Sequence, residues 1–439
     1  MSVISRLRST ARALPLGRSG SAAVRRLTSA GFSASAYVRH GWRRRAGVAR
    51  PGPVAVVGFH GSVLGLGDGA RAFSSALRAA GSEVVDWDIA EVFGHDRHLR
   101  GDIPDVPPLG DGPMVIHLNP RELIQLIGVY GSAPFAGRRV IGYWAWELEA
   151  VPRAWAAAFR YVDEVWTPSN FVADAVRAAA PEGLPIRVFP HLVSLLPAAP
   201  PDRARFSVPE DRFIVMTSFD MRSGFVRKNP FAAVAAVRRA AELAGQPVTL
   251  ICKVVGREGL PHMYEALKAD AAQTGDVQLI TEWLSGEDMA GLIASCDAII
   301  SLHRSEGFGL LLAQGMLAGK PVIGTGWSGN LDFMDRDCAR LVDYDLVAVE
   351  DIQGLYAGGH WAEPDVEDAA RQLARLIEFP GERAEVGAAA ARAIRDKLDP
   401  LKWGQIGRLW LGQSSEAVTA PPTTPAEPEG RFRSPPGPL

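Results

Sequence analysis

The stretch Ser305-Glu-Gly-Phe-Gly-Leu-Leu-Leu-Ala-Gln-Gly-Met-Leu-Ala-Gly-Lys-Pro-Val-Ile-Gly-Thr-Gly-Trp-Ser-Gly-Asn-Leu-Asp-Phe-Met334 sets an acid, a glycine turn, a helical run and a second glycine loop side by side. Just before it, Asp297-Ala-Ile-Ile-Ser-Leu302 is a short apolar run of buried-strand type. Glu306 falls just past that strand, where open α/β sheets hold their ligands. Gly307 and Gly309 allow a tight turn. Residues 310–318 favour helix and Gly319 is a stop signal, so the amides near Phe308, Gly309, Leu310 and Leu311 are expected to be free to face an anion such as a diphosphate. Gln314 is the one strongly hydrogen-bonding side chain in 310–318, and a polar group in an apolar helix wants a partner, for which a ribose hydroxyl would serve. The strand 321–323 then leads into Gly324-Thr-Gly-Trp-Ser-Gly-Asn330, a loop whose backbone can come close to a ligand. Asn330 itself reads as a ligand, a helix N-cap, or both.

Outward from this stretch, apolar strand runs alternate with helical ones on both sides of a Pro/Ala-rich joint at 196–202. Runs at 54–57, 83–85, 114–118, 140–144, 164–167 and 187–189 read as strands of a first unit, with helices at 70–80, 152–161 and 170–180. A second unit repeats the rhythm from 213–217 through 248–255, 277–281, 298–302 and 321–323. This is an α/β doubly wound pattern, twice over. Ahead of the helix 231–244 lies Phe219-Asp-Met-Arg-Ser-Gly-Phe-Val-Arg-Lys-Asn-Pro230, where Arg222, Arg227 and Lys228 would meet phosphates held at a helix start. In the first unit, Gly65-Leu-Gly-Asp-Gly-Ala-Arg71 precedes a helix, and the amides of Gly65 and Gly67 are placed to approach the same ligand from across a cleft. Those glycines also fit a dinucleotide fingerprint, with Asp86 or Asp88 about twenty residues on. Five residues, 60–64, separate the strand from the first glycine, which that fingerprint does not have.

The run Glu306-Gly-Phe-Gly309 with Gly319-Lys-Pro-Val322 resembles the retaining glycosyltransferases of family 4, whose pattern here is Glu, seven residues, Glu. The second acid falls on Gln314, which keeps an acceptor and adds donors but carries no charge. The resemblance spans about residues 53–412 and implies the GT-B architecture, two Rossmann-like domains facing a central cleft. It implies a first, acceptor domain at 53–200, a nucleotide-sugar domain at 201–392, and a crossover helix at 393–412 that braces the first domain. It implies Lys228 and then Arg227 as diphosphate ligands, Arg222 as a further one, and Glu306 as the acid that contacts the donor sugar. Glu147, at the end of Tyr143-Trp-Ala-Trp-Glu147, falls where relatives place acceptor-binding or catalytic groups; as a bare sequence feature it also fits a helix-start acid. The catalytic set expected is thus Glu306, Lys228, Arg227 and Glu147, and the donor set Gly65, Gly67, Arg222, Phe308, Gly309, Leu310, Gln314 and Asn330.

Other features read more plainly. Trp144 and Trp146 fit core aromatics better than a sugar platform, His117, His191 and His303 fit structural roles, and Lys253 is a strand-end lysine with a weaker claim on the cleft. Asp86-Trp-Asp88, Asp335-Arg-Asp337 and Asp343-Tyr-Asp345 match a short Asp-x-Asp metal pattern that chance supplies readily. With basic phosphate ligands at hand no metal and no cofactor is expected, the nucleotide sugar being a co-substrate.

The chain has 439 residues, 47% of them hydrophobic, enough for two medium domains. Cys252, Cys296 and Cys338 show neither disulfide nor zinc spacing, and no apolar run is long enough to span a membrane, so a reducing, cytoplasmic setting is expected. A net charge of −2 hides an asymmetry: the first fifty residues hold eleven arginines and no acid, leaving 36 basic against 49 acidic residues beyond them. That arm, 1–52, reads as a contact for an anionic membrane surface, a transit segment or a solvated tail. Residues 413–439, rich in proline, serine and threonine, are expected to be disordered. The partners expected are a nucleotide-sugar donor and a glycan or lipid-linked acceptor, and no nucleic acid. Beside a transferase, the residues admit a sugar-nucleotide-binding protein that has lost turnover, motivated by Gln314, and a sugar-nucleotide epimerase on the same fold.

Overall fold

The protein is described by a computed structural model that covers residues 50–95, 98–99, 103–193 and 200–414. The arginine-rich arm up to residue 49 and the tail from 415, with the membrane contact and the disorder expected of them, lie outside the described residues. So does most of the Pro/Ala-rich joint.

The first domain runs β1 (Val54–Gly58), α1 (Gly65–Ala79), β2 (Val84–Asp88), α2 (Ala90–Phe93), β3 (Met114–Ile116), α3 (Pro120–Tyr130), β4 (Val140–Tyr143), β5 (Glu164–Thr167), α4 (Asn170–Arg177) and β6 (Ile186–Val188). Its six strands are all parallel in the order β2-β1-β3-β4-β5-β6. The strands β1, β3 and β4 are buried along their whole length, as strands covered on both faces must be, and this is why they read as continuous apolar runs.

The second domain runs β7 (Phe213–Asp220), α5 (Phe225–Lys228), α6 (Pro230–Ala244), β8 (Val248–Val255), α7 (Pro261–Thr274), β9 (Val277–Ile280), α8 (Gly286–Ser295), β10 (Ala298–Ser301), α9 (Leu310–Leu317), β11 (Val322–Thr325) and β12 (Arg340–Val342). A hairpin, β13 (Tyr344–Ala348) with β14 (His360–Pro364), and helices α10 (Val366–Glu378), α11 (Pro380–Lys397) and α12 (Pro400–Trp410) follow. Strand order is β12-β11-β10-β7-β8-β9, again all parallel. Chain order reverses between β1 and β3 in one sheet and between β7 and β10 in the other. Those two points open crevices at the carboxyl ends of the strands, and the two crevices face each other.

The chain returns to the first domain through α12, which packs on α1. Gly404 permits the approach, since a Cβ there would stand 2.3 Å from the Ala76 carbonyl oxygen. Trp403 and Ile406, each 1% exposed, join a core with Phe73, Leu77 and Phe189. Burying such a side chain is worth about 1.5–3 kcal/mol. Arg408 donates to the Ala80 carbonyl and Arg139 to that of Trp410, the latter at 2.6 Å.

Three local expectations change. Residues 152–161 form two short 3-10 turns, Arg153–Ala157 and Phe159–Tyr161, rather than a helix. The buried Trp155, Ala158 and Tyr161 recur every third residue, the repeat of a three-residue turn. Helix α1 starts at Gly65, so the glycine segment is its first turn and not a loop before it. Helix α11, which stays with the second domain, continues to Lys397, past the expected break at 393.

Candidate functional site

The site is built where β10 ends. Gly309, with φ at 101°, turns the chain into α9 in a conformation that a side chain would strain. The helix opens with no side-chain cap and no acid in its first turn, so its leading amides have no partner within the helix. Facing it is the short α5, entered through Gly224 and left through Asn229 at φ 51°. Asparagine tolerates the left-handed region, and Pro230 behind it disfavours the right-handed one. This kink carries Lys228 toward the end of β10.

There Lys228 Nζ bonds Glu306 Oε1, and Arg227 Nη1 lies 3.1 Å from Glu306 Oε2. Arg227 is 2% exposed and also donates to the carbonyls of Ser305 at 2.7 Å and Ser223 at 2.9 Å. Burial by itself would raise the Glu306 pKa, but Lys228 and Arg227 outweigh it and bring it down to about 2. Glu306 is therefore a carboxylate at any working pH. Burial alone would lower the Arg227 pKa, while Tyr356, Glu306 and Glu147 act the other way and leave it raised. Glu306 N–H donates to Ser328 Oγ at 2.8 Å, and the Gly329 amide donates to the Glu306 carbonyl at 2.9 Å. A Cβ on Gly329 would come 2.2 Å from the Gly307 carbonyl oxygen, so glycine is what lets the second glycine loop seat against the first.

The first domain closes over this edge. A Cβ on Gly65 would sit 3.4 Å from Leu310 Cδ1, which sets the starts of α1 and α9 against each other across the cleft. Glu147 follows β4 and is 3.8 Å from Arg227 Nη2, while the Tyr356 hydroxyl donates to Glu147 Oε2 at 3.0 Å. Burial pushes the Tyr356 pKa well above its ordinary value, so that hydroxyl keeps its proton. Beside it, Gln353 accepts from the Phe225 amide at 2.6 Å and donates to the Met221 carbonyl at 2.8 Å. The segment between β13 and β14 thus spans the loop between β7 and α5 and reaches the first domain. Three further bonds hold the domains together: Ser169 Oγ donates to the Gly307 carbonyl at 2.7 Å, and Asn170 donates through N and Nδ2 to Asp332 Oδ2 at 2.8 and 3.0 Å.

Glu306, Lys228, Arg227 and Glu147 come together as one network, and Phe308, Gly309, Leu310 and Gly65 gather at the two helix starts. Gln314 lies one turn along α9, half-buried, with no side-chain hydrogen bond to a described residue. Glu147 is in a loop, not at a helix start. Arg227 is enclosed by protein groups and supports Glu306 from behind rather than projecting toward a ligand. Arg222 points to Asp220 at 2.9 Å and Glu258 at 3.4 Å, two acids at the end of its own strand and the next.

Two expected ligands make contacts inside the protein. Asn330 is fully buried, accepts from His303 Nε2 at 3.1 Å through Oδ1, and donates through Nδ2 to the Thr325 carbonyl at 3.0 Å. It braces the loop from inside and does not cap the 3-10 turn Gly329–Asp332, whose N-cap is Ser328. Gly67 is a glycine because a Cβ would meet the Phe59 carbonyl at 2.5 Å, a matter of packing under α1. The Asp-x-Asp acids have protein partners: Asp86 binds Ser74 and Arg78, Asp335 binds Lys397, and Asp343 binds Arg336. Trp144 is core, whereas Trp146 packs against Tyr356 at 5.3 Å in the cleft. Sequence reading missed Tyr356, Gln353, Asp332 and the Arg304–Glu363 pair that ties β14 to the start of the Glu306 turn. Only Arg304, two residues before Glu306, carried a local signal.

Two doubly wound domains meet at their carboxyl edges, with an acid and two cations at a glycine-turned helix start, and this arrangement is the GT-B architecture. Residues 227–378, within the second domain, match the family described as Glycosyl transferases group 1. Sucrose-phosphate synthase from Thermosynechococcus elongatus shares the fold at TM-score 0.59 and 17% identity, over 83% of this chain and 100% of that one. Anabaena HepE, solved in complex with UDP-glucose, does so at 0.58 and 15%, over 82% and 100%. A glycosyltransferase from Rickettsia africae gives 0.57 and 15%, over 82% and 96%. Among curated protein sequences, none is similar enough to count as a relative.

Proposed function

We propose that this protein transfers a hexose from a nucleotide diphosphate sugar to an acceptor hydroxyl, with retention of configuration and without a metal ion. The observation that carries this reading is the Lys228–Glu306–Arg227 network at the uncapped start of α9. A diphosphate seated there would meet the free amides of α9 and the ammonium of Lys228, groups already aimed at the charge that grows as the sugar departs. Glu306 would orient the donor sugar while Arg227 fixes its carboxylate, and Gln314 would offer both acceptor and donors to a ribose hydroxyl. Glu147, on the first domain's side, would line the acceptor. UDP-glucose, bound by the Anabaena protein, is the first donor to try. A glycan or lipid-linked acceptor in polysaccharide assembly, met at the inner membrane surface through the arginine-rich arm, completes the proposal.

The test is transfer by the full chain from UDP-, GDP- and ADP-sugars, with the product anomer read by NMR and EDTA present in a parallel series. Lys228→Ala should lower turnover at least 100-fold with the melting temperature little changed. Full activity in that variant, an inverted anomer or abolition by EDTA would each overturn the corresponding part. A second reading, binding without turnover, is favoured by Gln314 alone. If neither wild type nor Gln314→Glu transfers sugar while both bind nucleotide, that reading replaces the first.

A further inference from the structure

Of the three buried cations among the described residues, two have protein partners and one does not. Arg227 pairs with Glu306, and Arg138 donates to the carbonyls of Gly112 at 3.0 Å and Pro108 at 2.8 Å. Lys253, 5% exposed, has no hydrogen bond or ion pair to any described residue. A side chain so largely covered, whose ammonium has no counter-group among the described residues, is placed to meet a partner that arrives from outside. Burial lowers its pKa, with only the exposed Glu282 acting against that.

Its place shows what that partner would be. Lys253 stands opposite Ser218 of β7 on one side and Ile280 of β9 on the other. By strand alternation it shares a face with Ile251 and Met216, the face on which α9 also packs, and lies at the carboxyl end of the sheet. Ser218, its neighbour in the row, likewise has no side-chain partner among the described residues. Beyond Ile280 the loop carries Trp283, half-exposed and 6.3 Å from the His98 ring of the first domain, so this loop borders the cleft. The diphosphate-facing groups belong to β10 and the loop after β7. Lys253 is two strands from β10, about 10 Å at the usual strand spacing, which is the direction a nucleoside must extend once its diphosphate is at α9.

We infer that Lys253 reads the nucleobase of the donor, donating to an exocyclic carbonyl oxygen of uracil or guanine. An ammonium has three donors and no acceptor, so it rewards a carbonyl and opposes the amino group that adenine would present. Trp283 offers a flat face against which a base can stack. The inference rests on the second domain being a sugar-nucleotide site.

Binding of UDP, GDP and ADP to the full chain, measured by calorimetry for wild type and Lys253→Met, tests it without any need for turnover. Wild type should bind UDP or GDP at least tenfold more tightly than ADP. Lys253→Met should lose at least tenfold for the favoured nucleotide and less than twofold for ADP, so that the preference collapses. Because the variant deletes a charge that has no partner among the described residues, its melting temperature should not fall. Unchanged binding in Lys253→Met, or an equal loss for all three nucleotides, overturns the inference while leaving the site's general reading intact. Wild type that binds none of the three overturns both. Should Lys253→Met fail to fold, acetylation of Lys253 in wild type, followed by peptide mass spectrometry, decides: protection by the favoured nucleotide is expected, and equal labelling with and without it is the overturning result.

Discussion

The two domains are both six-stranded parallel sheets, ordered β2-β1-β3-β4-β5-β6 in the first and β12-β11-β10-β7-β8-β9 in the second, and they differ also in what they place at the carboxyl edge. In the second domain that edge is ionic, with Lys228, Arg227 and Glu306 in one buried network. In the first, Glu147 beyond β4 faces that network, and the ends of the other inner strands are built of histidine and tyrosine. His60, His117 and His191 stand at or near the ends of β1, β3 and β6 around Tyr143, whose hydroxyl donates to the Phe189 carbonyl at 2.9 Å and meets His191 Nδ1 at 3.2 Å. Burial lowers the pKa of all three histidines, that of His117 well below the ordinary value and that of His191 to about 4. None carries charge at neutral pH. Two parallel sheets of different strand order thus set an ionic cluster on one side of the cleft against a group of uncharged histidines on the other.

That contrast can be broken most sharply at Glu306. Glu306→Gln leaves Lys228 and Arg227 without their buried anion, and removing one partner of such a pair typically costs roughly 3–5 kcal/mol. Urea denaturation should show a loss of about 3 kcal/mol together with a transfer rate reduced about 100-fold; unchanged stability would mean that the ionic edge is not organised by this pairing. The same carboxylate sets an acid limb. Its folded pKa of about 2 lies below the ordinary 4.5, so its contribution is fully present above pH 4.5 and is lost as pH falls toward 2. Melting curves of Glu306→Gln should lack that part of the acid sensitivity.

A smaller effect of opposite sign is expected at the seam between the edges. Burial raises the Asp332 pKa to about 6, against the two bonds from Asn170 and with Asp174 adding to the rise. The folded state then holds a proton that the unfolded chain has released, so stability should fall as pH rises from about 4 to 6. Asp332→Asn should flatten that window, and an unaltered slope would show that the carboxyl is not the group responsible. The smallest effect belongs to His117, whose two ring nitrogens have no partner among the described residues and whose ring stacks on Tyr143 at 4.3 Å. His117→Phe should change stability by no more than about 1 kcal/mol at pH 7.5, because no hydrogen bond is lost. It should also remove part of the instability below about pH 6.5, where only the unfolded histidine takes a proton. A loss of more than about 2 kcal/mol would show that the histidine group depends on that imidazole.

Much of this was legible because it is local. Glu306 at a strand end, the glycines after it and the basic pair before Asn229-Pro230 are short-range signals, and the folded chain brings Glu306, Lys228, Arg227 and Glu147 within one network. Direction was not legible. Asn330 and Gln314 sit in similar glycine-rich or apolar settings, yet one turns inward to His303 and the other keeps its amide free. Distance was not legible either: Tyr356 meets Glu147 from 209 residues away, out of a glycine-rich segment that resembles an ordinary loop. The turns at 153–161 escaped for a third reason. Their aromatic content reads as helix until the three-residue recurrence of buried positions is seen against the sheet.

The last helix has a consequence for the order in which the molecule can be made. Phe189 and Trp166 of the first domain find their aromatic neighbours in Trp403 and Trp410, with ring centroids 5.2 Å apart for Phe189 and Trp403 and 5.4 Å for Trp166 and Trp410. On the ribosome the first domain therefore emerges with an open aromatic flank, and it must wait for the whole second domain before residues 400–410 can cover it. A fragment ending near residue 193 would expose that flank and aggregate, whereas the same fragment supplied with the 400–410 helix in trans should be rescued.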